Sequence, residues 1–148
     1  STLDGQLQSD SGLTFYEYGV LAALSEIGAN GLRVTDLAAV TSAAPSRLSQ
    51  VVSRMEQRQW VARKPDPDDG RATRVHLRPA GQAVLEQAAP GHVETVRKYI
   101  FDALTPNQVR QLRTIALRIA STLVPADALI FTRDTFAGEH RRSDGDAD

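Results

Sequence analysis

The sequence predicts a mainly α-helical chain with one small β-hairpin, and three observations carry that prediction. Apolar residues recur every three or four positions in five stretches between Phe15 and Leu123, the pattern of helices that bury one face. Between Trp60 and Arg78 the period falls to two, as in half-buried strands. Turn formers mark the breaks: Gly28, Asn30-Gly31 and the run from Pro65 to Gly70. At 148 residues and 41% hydrophobic, the chain has the size and apolar content of one domain.

Thr14 followed by Glu17 is a capping-box pair, and Phe15, Val20, Leu21, Leu24 and Ile27 then fall at helical spacing until Gly28. A second, short helix is predicted from Thr35, with Asp36 in its first turn and Leu37, Ala38 and Val40 as its stripe. A third opens at Pro45, whose ring presets φ and whose missing N–H would be unpaired there anyway. Its Leu48, Val51, Val52 and Met55 stand at i, i+3, i+4 and i+7, while Ser46, Arg47, Ser49, Gln50, Ser53, Arg54 and Gln57 share the other side. Hydroxyls, amides and guanidiniums with no carboxylate until Glu56 are the groups that read base edges and hold phosphates. Ala44 at the N-cap offers no side-chain acceptor, a loss of about 1 kcal/mol.

Residues 60–64 and 73–78 read as two short strands, with Val75 and Leu77 facing one way and Arg74, His76 and Arg78 the other. The intervening loop is rich in Pro, Asp and Gly, so the hairpin projects a tip with Arg71 near its end. A long helical pattern follows from Ala80 to Leu104, with Pro90-Gly91 predicting a kink or, alternatively, two shorter helices. Thr105, Pro106 and Gln108 start a last helix, in which Val109, Leu112, Ala116, Ile119 and Leu123 form a seam. From the residues alone, ordinary core is the plainer reading of that seam and a dimer contact the sharper one. Residues 126–148 read as an extended, largely disordered tail. Helix, helix, helix, strand, loop, strand, helix, helix is the order of a winged helix-turn-helix with C-terminal helices added.

The net charge of -1 hides an uneven distribution. Residues 1–41 carry one base, Arg33, against five acids, whereas residues 42–78 carry eight bases against four. A polyanion feels local charge, since screening limits reach to about 8 Å at physiological salt. The absence of cysteine excludes disulfides, thiolate metal sites and thiol chemistry. His76, His92 and His140 show no metal-ligand spacing, and neither a Gly-rich phosphate loop nor a nucleophile motif is present. An enzyme, a cofactor and a metal are therefore not expected. No stretch approaches the roughly 20 apolar residues of a membrane span, and the N-terminus lacks a secretory pattern, so a cytoplasmic protein without a membrane partner is expected.

The motifs Leu37-Ala38-Ala39, Ser46-Arg47-Leu48-Ser49, Ser53-Arg54-Met55-Glu56, Asp66-Pro67-Asp68-Asp69-Gly70-Arg71 and Pro79-Ala80-Gly81 resemble those of MarR-type transcriptional regulators, particularly actinobacterial ones. Pro90-Gly91-His92-Val93 and Leu104-Thr105-Pro106 extend the resemblance to about residues 10–123. It implies a homodimer that binds a pseudo-palindromic operator on double-stranded DNA, represses transcription and is released by a small-molecule effector. The third helix, through Pro45, Ser46, Arg47, Ser49, Gln50 and Arg54, would enter the major groove, and Arg71, oriented by Asp69, the minor groove. Narrow minor grooves favour arginine electrostatically, and a paired carboxylate restricts it before binding. Arg47, Arg54, Arg63, Lys64 and Arg74 are the expected phosphate contacts, with Arg54 also able to reach a base.

By the same resemblance, residues 1–13 are the remnant of an N-terminal dimerisation helix, 14–78 the DNA-binding lobe and 79–125 the dimerisation helices that carry Val109, Leu112, Ala116, Ile119 and Leu123. Tyr16, Tyr18, Tyr99 and Phe101 are candidates for an effector pocket, although ordinary packing is the plainer account of these rings. The alternative function is a winged-helix protein-interaction module that does not bind DNA.

Overall fold

The computed structural model describes residues 2–123, which divide after Leu104 into two compact units. In the first unit, α1 (Thr2–Ser11) packs on α5 (Pro79–Val96), and α2 (Phe15–Ile27) packs between α1, α5 and the sheet. The capping box at Thr14 forms in full: the Thr14 hydroxyl accepts from the Glu17 N–H and the Glu17 carboxylate accepts from the Thr14 N–H. From α1, Asp4 Oδ1 accepts the Phe15 N–H at 2.8 Å, so two helices share one terminus.

The helix-turn-helix is α3 (Val34–Val40) and α4 (Pro45–Gln57). Their turn closes in a Schellman pattern: Ser42 N–H donates to Ala39 O and Ala43 N–H to Ala38 O, with Ser42 at φ 52°. The α4 helix ends the same way, with Gln59 at φ 61° and Trp60 N–H donating to Met55 O. All four apolar positions read from the sequence, Leu48, Val51, Val52 and Met55, are buried, as are Leu21, Leu24, Leu37, Val61 and Val75 of the neighbouring elements of the unit. Each such side chain contributes roughly 1.5–3 kcal/mol by leaving water.

Three strands, not two, make the sheet: β1 (Leu32–Arg33), β2 (Val61–Pro65) and β3 (Thr73–Leu77), in the order β1-β3-β2 and antiparallel throughout. Leu32 pairs with Val75, and Arg33 with Arg74. The approach needs Gly31, at φ 61°, because a Cβ there would lie 2.5 Å from the Val75 carbonyl. This strand also moves the start of α3: Arg33, not Thr35, precedes its first residue, Val34, and no side chain caps it.

The α5 helix runs unbroken through Pro90 to Val96 and continues as a π-helical turn, Arg97–Phe101. Pro90 removes one N–H donor, yet Leu85, Ala88 and His92 are buried on either side of it, and their packing holds the helix together. Gly91 lets α1 come close, since a Cβ there would meet Gln6 Nε2 at 3.0 Å and Asp10 Oδ2 at 3.1 Å. The sequence division after residue 78 groups this helix with the C-terminal one; within its own unit it packs on α1 and α2.

The second unit consists, among the described residues, of α6 (Pro106–Leu123). Thr105 and Gln108 form its capping box. Its seam has no partner among the described residues of the unit: Leu112, Ile119 and Leu123 are 43%, 54% and 76% exposed, and Ala116 is also exposed, with Val109 partly so. Ile115, outside the sequence-derived seam, is 56% exposed on the same helix. The expected tail, 126–148, lies outside the described residues.

Candidate nucleic-acid interface

The polar side of α4 is held outward because Leu48, Val51, Val52 and Met55 anchor the other side in the core. Pro45, Ser46, Arg47, Ser49, Gln50, Ser53 and Arg54 are all exposed. Ala44 precedes the helix in extended conformation and provides no side-chain cap. Pro45 has no N–H and the Leu48 N–H donates to the Ala44 carbonyl at 3.0 Å, so it is the amides of Ser46 and Arg47 that receive no side-chain acceptor from the cap.

Two of the cations expected on phosphates have internal partners. The Arg63 guanidinium, on β2, pairs with Glu56 and donates to the Ser49 carbonyl at 2.9 Å and the Ser53 hydroxyl at 3.2 Å. Glu56 Oε1 accepts the Arg63 N–H at 2.8 Å, so the pair fastens α4 to the hairpin. Arg74 Nε donates to Asp66 Oδ2 at 2.7 Å, and its Nη1 reaches the carbonyls of Asn30 and Gly31 at 3.3 Å. Both guanidiniums therefore organise the surface rather than project from it. Arg47 stacks over Tyr16, 5.3 Å from the ring centroid. Ser46, Gln50, Arg54, Lys64 and Arg71 make no side-chain contact of this kind among the described residues.

The hairpin loop is built on Asp66, whose side chain is fully buried although its neighbours are exposed. Oδ1 accepts the N–H groups of Asp68 at 2.8 Å and Asp69 at 3.2 Å, an Asx turn, while Oδ2 accepts Nε from both Arg33 and Arg74 at 2.7 Å. The bond from Arg33, first, and then the backbone and Arg74 bonds hold the Asp66 carboxyl far below the usual carboxylate range against the opposing effect of burial. Asp69 acts differently from the expectation. Its Oδ1 accepts the backbone N–H of Arg71 at 3.0 Å, so it fixes the turn that carries Arg71 rather than the guanidinium itself. The short two-residue spacing suits an Asx-type backbone bond, which competes with the longer reach to the side chain.

An open cleft of about 610 Å³ lies beside α4, lined by Asp4, Tyr16, Arg47, Gln50 and Arg54 among others. Of the four aromatics read as pocket candidates, Tyr16 alone is in its lining. Tyr18 packs on His92 with ring centroids 4.3 Å apart, and burial raises the Tyr18 pKa and lowers that of His92. Tyr99 and Phe101 sit on the π-helical turn and are exposed.

Comparison with known proteins follows the same outline. A family model described as the MarR family matches residues 11–72. Sco3205 of Streptomyces coelicolor, a MarR family transcriptional regulator solved in complex with DNA, is 42% identical, with a TM-score of 0.76 over 84% of this chain and 81% of that one. The transcriptional activatory protein BadR of Rhodopseudomonas palustris is 30% identical over 134 residues, covering 90% of this chain and 73% of BadR. The chain belongs to the MarR family. The uncharacterized HTH-type transcriptional regulator YpoP of Bacillus subtilis is also 30% identical, over 77 residues; the chain spans about half its length, 53%. As a MarR-family transcriptional regulator, the protein carries a DNA-binding winged helix in α3, α4 and the sheet. Among the described residues, no helix is long and apolar enough to cross a membrane, and no group of His, Asp and Glu is arranged to hold a metal.

Sequence reasoning missed Asp66 and Arg33 as site residues. The Asp66-Pro67-Asp68 step was a legible signal, since Asp before a turn accepts the N–H two residues on. Nothing local marks Arg33, because its partner is 33 residues away.

Proposed function

We propose that the protein binds a pseudo-palindromic operator as a homodimer, represses transcription there, and releases the DNA when a small molecule occupies the cleft beside α4. The observation that carries this reading is the exposed, acid-poor face of α4, fastened through Arg63 to the hairpin whose loop bears Arg71. Ser46, Ser49 and Gln50, with Pro45 opening the helix, are positioned for base edges; Arg47, Arg54 and Lys64 for phosphates; and Arg71 for the minor groove. Arg63 and Arg74 serve that surface by holding α4 and the hairpin loop, and Asp69 by holding the turn before Arg71.

Homodimerisation is supported by α6, whose seam of Val109, Leu112, Ala116, Ile119 and Leu123, with Ile115 beside it, has the spacing of a two-helix contact. A two-fold dimer would set its recognition helices about 34–36 Å apart, one turn of duplex. Effector control is supported by the cleft, whose volume of about 610 Å³ suits a small ligand. A ligand seated between Tyr16 and the arginines of α4 favours the spacing that does not fit DNA, which is the differential affinity that release requires.

Titration of random duplex and of duplex selected from a random pool, each at two salt concentrations, tests the reading. Tight, steeply salt-dependent binding of the selected duplex, with two-fold symmetry in its sequence, is the expected result. A protein-interaction module would bind neither. Repression is tested separately with a promoter fusion carrying the selected site; activation, as the name of BadR states for that relative, is the opposite outcome.

A further inference from the structure

Arg33 is the single base among the first 41 residues, and the fold places it alongside the basic hairpin. On β1 it stands opposite Arg74 of β3, and the two like charges are joined through one oxygen, Asp66 Oδ2, at 2.7 Å from each Nε. The two arginines then differ. Arg74 commits Nη1 to the carbonyls of Asn30 and Gly31, and its side chain is 23% exposed. Arg33 is 38% exposed, and its terminal nitrogens have no hydrogen-bond partner among the described residues. A guanidinium has five N–H donors in a flat fork, so a bond through Nε leaves the outer edge able to clasp a second oxyanion.

Arg33 lines a groove of about 380 Å³ together with Thr35, Arg71 and Thr73. Two guanidiniums and two hydroxyls line it and no carboxylate does; Asp36 and Asp69 act on Arg33 only through their field. Such a set suits a phosphodiester, which accepts from charged forks and from hydroxyls together. We propose that this groove receives a DNA backbone phosphate beside the site where Arg71 enters the minor groove, and that Asp66 holds Arg33 for that contact. The inference rests on the DNA-binding reading above and adds to it a phosphate contact from outside the recognition helix. Pre-setting the fork by a buried carboxylate removes rotamer freedom before DNA arrives, which lowers the entropy lost on binding.

The test is the salt dependence of binding to the selected operator, followed by fluorescence anisotropy, for Arg33→Gln alone and in an Arg71→Ala background. Glutamine removes the charge while its amide still donates to Asp66, which keeps the loop closed; thermal melts of each variant verify that the fold is retained. The expected result is a slope of log K against log salt shallower by about 1.8 in both backgrounds, since a dimer loses two phosphate contacts at about 0.9 each. An unchanged slope with operator binding intact overturns the groove alone. So does a change that vanishes in the Arg71→Ala background, because Arg33 would then act only by placing Arg71. Failure of the unsubstituted protein to bind any duplex sinks the regulator reading and this inference with it.

Discussion

The helices α4 and α6 are written with the same alternation of three and four, yet they end in opposite conditions. In α4 the stripe Leu48, Val51, Val52, Met55 is buried within its own unit, whereas in α6 Leu112, Ile115, Ile119 and Leu123 are 43–76% exposed. Periodicity therefore states that a face needs a partner and not where the partner is. The neighbouring elements decide that. The α4 helix is delivered by a short turn from α3 and received by β2, so its partners are local. The α6 helix has an apolar seam, a capped start and no partner among the described residues of its unit, which is the condition of a surface completed by association.

Substitutions on the two stripes should consequently separate. The largest effect is expected for Ile119→Asp, which puts an unpaired charge into the seam twice over in the proposed two-fold dimer. An unpaired buried charge costs about 3–5 kcal/mol, so the dimer should weaken about a thousandfold or more in sedimentation experiments. Near-native dimer strength would remove α6 from the interface. Leu48→Ala comes next and should act on the fold rather than the assembly, lowering unfolding free energy by about 2–5 kcal/mol in denaturant titrations. If it changed assembly and left stability intact, the comparison would be reversed.

Acid provides a milder probe of what surrounds α4. The Asp66 carboxyl is held below its ordinary value, so its contribution is complete above the unfolded carboxylate value near 4 and is lost as pH falls toward the folded value. Amide exchange at Asp68 and Asp69 should thus be insensitive to that group between about pH 5 and 8 and lose protection only in strong acid. Loss of protection near neutrality would contradict the pairing with Arg33 and Arg74. Gln59→Gly should stabilise by about 1 kcal/mol, since the left-handed residue that closes α4 bears a side chain. Arg54→Ala, on the outer face of α4, should alter stability by less than about 0.5 kcal/mol while flattening the salt dependence of DNA binding.

What the sequence disclosed follows from the range of the forces involved. The Thr14–Glu17 box, the stripe of α4 and the Pro106 start of α6 depend on residues within a turn or two, and all were legible. The two-residue strand Leu32–Arg33 was not, because a period of two cannot be recognised in two residues and its existence depends on β3. Continuity of α5 through Pro90 depended likewise on packing from α1 and α2. In the candidate site, exposure of the α4 face was readable from its pattern. Which arginines point outward was not, because Asp66 claims Arg33 and Arg74 across the sheet, and Glu56 claims Arg63 from the adjoining helix.

The bond network of Arg63 has a mechanical result. Because one guanidinium grips Glu56, Ser49 and Ser53 while its own backbone belongs to β2, the reading helix and the hairpin form a single lever. In the proposed operator complex, a push delivered at the Tyr16 end of the cleft would tilt both together, so that loss of register in the major groove would carry with it loss of register in the minor groove.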